Sequence, residues 1–229
     1  MKIASFGLDI TPGKQKYTCE CFEKLVKKFS PKKLSPYVVE FIGEDFAKAD
    51  AVVFDSNKKL DFIFIDLEKI ENRQTKTTDE KEKEFLKKIT GILEKENLLC
   101  EQSFSEEEKN FLKNIMPVTY KPCIGRTDIS DMNELISEIL KKSETLLFYT
   151  AGEKEVHAWE VKKGSTIVEA AGKIHSDLAR GFIKGEVIDC KDLDSFYNLA
   201  EARARGFAKS VDRDYIMQEG NIIEIKFSV

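Results

Sequence analysis

What this chain lacks narrows it first. No apolar stretch in its 229 residues approaches the roughly 20 needed to cross a bilayer, which excludes a helical membrane span. The opening Met1-Lys2-Ile3-Ala4-Ser5-Phe6 has no long apolar signal core. A cytoplasmic protein is therefore expected. Proline is scarce at 5 residues, and histidine scarcer at 2. Both His, His157 and His175, lie in the last third, far from the one close cysteine pair, Cys19-Glu20-Cys21. A structural zinc site needs four converging soft or imidazole ligands, so no metal is expected. The 5 cysteines are odd in number and dispersed, and in a cytoplasmic setting they are expected as reduced thiols. Internal repeats and low-complexity segments are missing too. So is any excess of positive charge: 37 Lys+Arg against 41 Asp+Glu leave a net charge of -4. That balance argues against indiscriminate nucleic-acid binding by the whole chain, though not against a local basic face.

What is present is a soluble, globular composition, 41% hydrophobic and 34% charged, long enough for one large or two small cores. Ile3 to Ile10 reads as a strand running into a loop at Thr11-Pro12-Gly13-Lys14. Phe22, Leu25, Val26 and Phe29 then fall at helical spacing, with Pro31 and Pro36 marking the end. Tyr37 to Ile42 reads as a strand. Ala51-Val52-Val53-Phe54 and Phe62-Ile63-Phe64-Ile65 are short continuous apolar runs of the kind found in buried, mostly parallel sheets.

From Asp66 to about Asn114 the character changes, and Lys and Glu dominate. Phe85, Leu86, Ile89, Ile92 and Leu93 form a helical stripe, and Ser105-Glu106-Glu107-Glu108 is a capping-box start for a second helix that Pro117 ends. A helical hairpin with a solvated charged face is expected. Lys121 to Lys142 reads as a loop and one more helix. Beyond it come strands at Leu146–Tyr149 and His157–Val161, a turn at Lys162–Ser165, and a helix from Thr166 to Leu178. A strand at Phe182–Ile188, a helix at Asp192–Arg205, and a last strand at Ile222–Phe227 follow.

The region from Leu146 to Val229 carries the most specific signal. It contains Thr150-Ala151-Gly152-Glu153-Lys154-Glu155-Val156-His157-Ala158-Trp159, then Lys163-Gly164-Ser165-Thr166 and Ala170-Ala171-Gly172-Lys173-Ile174-His175-Ser176-Asp177. It closes with Arg213-Asp214-Tyr215-Ile216-Met217-Gln218-Glu219-Gly220-Asn221-Ile222-Ile223. This run closely resembles the C-terminal TGS domain of the YchF/Obg-like ATPase family. Upstream the resemblance is weaker. Val39-Glu40-Phe41 resembles a sheet strand of that family, Phe64 to Arg73 the approach to its inserted helical domain, and Leu112 to Pro122 the return. The resemblance implies a GTPase-like fold whose loops bind ATP or GTP with Mg²⁺.

Each of those loops departs from what its chemistry requires. A phosphate loop needs Gly-x-x-x-x-Gly-Lys-Ser/Thr: backbone amides cradle phosphate, Lys neutralises charge, and the hydroxyl ligates Mg²⁺. Gly7-Leu8-Asp9-Ile10-Thr11-Pro12-Gly13-Lys14-Gln15 is one residue too long from Gly7 and has Leu8 in register. Pro12 removes a backbone donor, Gln15 replaces the hydroxyl, and Asp9 brings a carboxylate towards the phosphate position. The Asp-x-x-Gly loop is missing after Ile42, where Gly43-Glu44-Asp45 stands. The base-reading loop is replaced by Cys123-Ile124-Gly125-Arg126-Thr127-Asp128, and Asp131-Met132-Asn133-Glu134 precedes a helix rather than ending a strand. No catalytic residue is assigned and no significant ATP or GTP hydrolysis is expected. Residual nucleotide binding at Gly7, Gly13 and Lys14 is the alternative.

Other chemistry is sparse. His175 reads as a structural residue at a helix C-terminus, because its neighbour Asp177 does not face it on a helix. His157 reads as a half-exposed packing residue sharing a strand face with Trp159. A basic group, Arg203, Arg205, Lys209 and Arg213, falls within eleven residues holding one acid, Asp212. Lys162, Lys163, Arg180 and Lys184 add to it if the fold brings them together, giving a phosphate-contacting RNA face. Surface charge balanced by nearby acids explains the same residues equally well.

The expected fold class is α/β plus α+β. Residues 1–65 and 117–145 form a degenerate P-loop GTPase-like remnant, 66–116 an inserted helical hairpin, and 146–229 a β-grasp TGS domain. The expected function is non-catalytic binding of RNA, the ribosome or another part of the translation machinery, with no cofactor. A weak ATP- or GTP-binding protein with a rearranged site, and a protein- or ligand-binding β-grasp module, are the alternatives.

Overall fold

In the computed structural model, which describes residues 1–228, the chain forms two compact units. Met1–Gln15 with Val39–Ser143 make one, and Lys16–Val38 with the chain from Glu144 onward make the other. Their strands and helices, in chain order, begin with β1 (Lys2–Phe6), β2 (Gly13–Tyr17), α1 (Glu20–Phe29), β3 (Lys33–Ser35), β4 (Tyr37–Phe41) and β5 (Ala51–Asp55). The helical stretch is α2 (Lys59–Gln74), α3 (Glu80–Leu93) and α4 (Glu106–Ile115), followed by β6 (Cys123–Arg126) and α5 (Met132–Lys142). The remainder is β7 (Thr145–Ala151), β8 (Glu155–Lys162), α6 (Ile167–Ile174), α7 (Ser176–Arg180), β9 (Phe182–Asp189), α8 (Leu199–Ala204), β10 (Lys209–Val211) and β11 (Asn221–Phe227).

The first sheet has the order β2-β4-β1-β5-β6, with β1 parallel to both β4 and β5, and β6 parallel to β5. The apolar run of β5 and the centre of β1, Ile3-Ala4-Ser5, are buried on both faces, as central parallel strands require. Phe54 of β5 stacks on Phe62 of α2 at 4.7 Å. The core continues through Ile63 and Ile70 of α2, Phe85, Leu86 and Ile89 of α3, and Leu112 of α4, three helices where the sequence suggested a hairpin of two. Asp66 is fully buried in this core, and its carboxylate accepts from the Val118 and Thr119 amides and from Thr119 Oγ1, each at 2.7 Å.

Several sequence expectations are corrected here. Phe62–Ile65 is helix, not strand: Phe62, Ile63, Asp66 and Ile70 are buried while Phe64 is 61% exposed, a helical rather than an alternating pattern. Cys123–Arg126 is an edge strand rather than loop, paired to β5. Gly13 and Lys14 open strand β2 instead of completing a loop. The capping box at Ser105 forms as read, with the Ser105 hydroxyl accepting from the Glu108 amide and Glu108 accepting from the Ser105 amide.

The second sheet has the order β10-β9-β11-β7-β8-β3. The antiparallel β7–β8 pair is followed by α6, and β11 returns parallel to β7 and antiparallel to β9. Phe148, Ile167, Ala170, Ala171, Val187 and Ile223 build its core. Lys16–Val38, read as part of the first α/β unit, packs here: β3 pairs with β8, and Phe22 of α1 lies 6.5 Å from the Tyr149 ring. The expected helix over Thr166–Leu178 is interrupted at His175, whose extended backbone ends α6 and starts α7. The Asp192–Arg205 helix is likewise divided into a 3₁₀ turn over Cys190–Ser195 and α8.

The expectation of five reduced thiols is also corrected. Cys21 on α1 and Cys190 after β9 form a disulfide, with Cα atoms 5.9 Å apart and 169 residues between them in sequence. Compartment reasoning about thiols said nothing of this proximity, which only folding creates. No helix among the described residues is long and apolar enough to cross a membrane.

Candidate functional site

The C-terminal ends of β1, β4, β5 and β6 are where an open parallel sheet would present a ligand site. Gly7 follows β1 with φ of +70°, and a Cβ there would meet Lys58 Cδ at 2.8 Å and Asp55 Cβ at 3.2 Å. The turn is therefore packed against the segment that follows β5, where the Lys58 stem fills the adjacent space. Asp55 caps that segment, accepting from the Asn57 amide at 2.9 Å. Gly125, within β6, is similarly close, its added Cβ falling 2.7 Å from Ser56 Oγ.

Gly13 and Lys14 lie elsewhere. Both are exposed at the start of the edge strand β2, which β4 separates from β1, and nothing lies within 4 Å of a Cβ on Gly13. Gly7 and the Gly13-Lys14 pair thus do not share a cradle. The first α-helix after this stretch starts only at Glu20, so no helix N-terminus follows Gly13-Lys14 directly. Arg126, the last residue of β6, is ion-paired with Glu138 of α5. Asp131 is occupied as the N-cap of α5, accepting from the Asn133 amide at 2.7 Å and the Glu134 amide at 3.2 Å.

The eight basic residues of the second unit are spread over several elements. Lys209 on β10 and Lys162 on β8 stand four strand positions apart, about 19 Å at the usual spacing. Most of the eight are already engaged. Arg203 bridges Glu186 and Glu224 at 2.6 Å each, and Glu186 also takes Lys226, so its carboxyl is held below the usual range by these two cations. Arg205 pairs with Glu201 at 2.9 Å, Arg180 with Asp177 at 2.9 Å, and Lys209 with Asp189 at 3.7 Å. Arg213 donates to the Phe182 carbonyl at 2.9 Å and lies over that ring. Lys162 donates to Thr145 Oγ1 at 3.0 Å. Lys163 and Lys184 are exposed and make no ion pair with a carboxylate among the described residues.

His157 is a partly buried packing residue, as read, whereas His175 does face Asp177, its Nδ1 lying 3.5 Å from an Asp177 carboxylate oxygen, because its extended backbone breaks the helix there. His175 Nδ1 accepts from the Asp177 amide at 3.1 Å and caps α7. His157 stacks on Trp159 at 3.7 Å, and burial pushes its pKa down. Sequence reasoning missed the thiols Cys100 and Cys123. Hydrogen bonding between them lowers Cys100 and, with burial, raises Cys123. Their 23-residue separation carries no motif, so the sequence held no signal for the pair.

Residues 146–228 match the family model "YchF-GTPase_C: Protein of unknown function (DUF933)". Among curated proteins the chain is 32% identical over 151 residues to the "Ribosome-binding ATPase YchF" of Mycoplasma genitalium, covering 64% of this chain and 41% of that protein. It is 27% identical to the Bacillus subtilis protein of the same name over 74% of this chain and 65% of that one. It is 39% identical to "Obg-like ATPase 1" of Xenopus laevis over 61% of this chain and 32% of that protein. The chain therefore spans less than two thirds of the length of these curated relatives. In fold it resembles the structure described as the Schizosaccharomyces pombe YchF GTPase, with a TM-score of 0.75 at 16% identity over 95% of this chain and 88% of that one. These matches support a relationship of this mixed α/β chain to the YchF family, strongest in residues 146–228.

Proposed function

We propose that this chain is a non-catalytic YchF-like protein that acts in the cytoplasm by associating with the ribosome or its RNA. On this reading, residues 146–229 are a TGS domain of β-grasp type, residues 1–65 and 117–145 a degenerate GTPase-like domain, and 66–116 its helical insertion. The observation that carries it is the contrast between the two regions. The C-terminal region matches the family model, while Gly7 and Gly13-Lys14 stand apart and Gln15 takes the Mg²⁺-ligand position. Without a positioned metal and water, phosphoryl transfer has little to accelerate it. The strand order β9-β11-β7-β8, with β11 parallel to β7, supports the β-grasp assignment. The printed name of the bacterial relatives supports a ribosomal partner.

Co-sedimentation with ribosomes at low and moderate salt tests the reading, and absence of association at both would overturn it. Lys163 and Lys184, the two basic residues of the eight not already held by another side chain or carbonyl, are assigned phosphate contact. Lys163→Glu with Lys184→Glu is expected to weaken association and reduce its salt slope by about 2, near one unit per lost phosphate contact. Calorimetric titration with ATP and GTP in Mg²⁺ is expected to show no sub-micromolar binding. A sub-micromolar affinity would favour a rearranged nucleotide site instead.

A further inference from the structure

Lysines elsewhere in the first unit, such as Lys81, Lys88 and Lys109, reach carboxylates. Three lysines around one cleft do not. The cleft, about 360 Å³ in volume, lies between the start of the Phe46 segment and the end of α4. Phe46, Leu112, Val118 and Tyr120 give it apolar walls, and Lys69, Lys113 and Lys121 supply its charge. Among the described residues no carboxylate lines it. Lys69 acts on Asp66, which is fully buried and already accepts three hydrogen bonds, and Lys113 acts on Glu106, whose carboxylate is bonded to Lys109.

Two of the ammonium groups are held in place by the backbone. Lys69 Nζ donates to the Met116 carbonyl at 2.8 Å, and Lys121 Nζ donates to the Ala49 carbonyl at 2.5 Å. Each ammonium carries three hydrogens, so each keeps two for a further acceptor. Met116 ends α4 in the left-handed region, with φ of 50°, and is 62% exposed beside the cleft. An unbranched, polarisable thioether in that position adapts to the shape of an apolar guest. The volume falls within the range of small-molecule pockets, which combine apolar walls with a few fixed polar groups.

We propose that this cleft binds a small amphiphilic carboxylate, with its aliphatic chain against Phe46, Leu112 and Val118 and its anionic head at Lys69, Lys113 and Lys121. The assignment is independent of ribosome association, since none of these residues belongs to the C-terminal region. Isothermal titration of the full chain with sodium decanoate below its micelle concentration tests it. Decyltrimethylammonium serves as the same tail with the opposite head, and acetate as the head without the tail. Saturable one-to-one binding of decanoate is expected, with the cation at least about tenfold weaker and acetate silent, because charge-assisted contacts and apolar burial must act together. Lys113→Glu combined with Lys69→Gln is expected to weaken decanoate about tenfold or more, while an unchanged far-ultraviolet spectrum and melting profile establish that the variant is folded. In amide spectra, decanoate should shift the signals of residues 112–121. Absence of saturable binding, equal affinity for the cationic amphiphile, or an unchanged affinity in the folded lysine variant would each overturn the proposal.

Discussion

Asp66 shows how much one side chain can organise and how its cost depends on pH. Its carboxylate ties α2 to the turn after α4 by accepting from the Val118 and Thr119 amides and the Thr119 hydroxyl. Burial raises its pKa, and the hydrogen bonds offset only part of that rise. A carboxyl with a raised folded pKa contributes most below its unfolded value of about 3.9, and that contribution falls as pH rises through the folded value. The unfolding free energy is therefore expected to carry a component that declines above about pH 4 and that Asp66→Asn removes, measurable by urea unfolding across pH. Asp66→Ala leaves three buried donors without their acceptor and is expected to cost about 2–4 kcal/mol at neutral pH. A loss under about 0.5 kcal/mol, the range of an ordinary surface change, would contradict this account. Residues of this kind were not legible in the sequence, because a buried acid looks like any other acid until its partners, 52 and 53 positions away, are known. Ser105 was legible because its partner lies three residues on. The basic residues Arg203 and Arg205 were visible as charges, but the acids that engage them were not.

At the scale of elements, the misread run Phe62–Ile65 marks where periodicity fails. Four consecutive apolar residues fit a buried strand or a helix segment equally well. Only the continuation to Asp66 and Ile70 separates the two, and Asp66 does not look like a core residue. The alternatives differ in one checkable respect. A strand places Phe62 and Phe64 on the same face, whereas α2 buries Phe62 and leaves Phe64 exposed. Phe64→Glu is therefore expected to change stability by no more than about 0.5 kcal/mol, and Ile63→Ala to cost about 2–4 kcal/mol. Paired chemical-denaturation curves for the two variants read this directly. The opposite order would mean that the helix is wrongly phased. A short helix junction hides for a similar reason. Ile174 and Leu178 keep helical spacing across His175, so the pattern did not show that the backbone turns extended there. By contrast, the expected limits of β7, β8, β9 and β11 lie within a few residues of the observed ones, because short β-branched and aromatic runs bounded by turn residues are local information.

For the whole molecule, the sequence order of the chain does not match the order in which it folds into units. Lys16–Val38 belongs with the C-terminal sheet although more than a hundred residues separate it from Glu144. Three different interactions hold it there. Strand β3 extends the sheet beside β8, Phe22 and Leu25 of α1 are buried, and Cys21 is bonded to Cys190. Cys19 Sγ also lies 2.8 Å from the Tyr149 hydroxyl, a group that burial pushes to a higher pKa. A domain boundary drawn from family resemblance alone cuts these interactions, since the matched region begins at residue 146. Removing the segment takes two large apolar side chains from the sheet, each worth about 1.5–3 kcal/mol when fully buried, before the disulfide is counted. Residues 144–229 expressed alone are therefore expected to melt well below the C-terminal transition of the full chain and to bind a hydrophobic dye. Fusing 16–38 to their N-terminus through a flexible glycine-serine linker should restore the transition under oxidising conditions. Dithiothreitol should then lower it again, because reduction removes a cross-link whose chain-entropy contribution is typically about 2–4 kcal/mol. An isolated 144–229 fragment as stable as the full chain would show that the N-terminal segment is an accessory to the sheet and not part of its core.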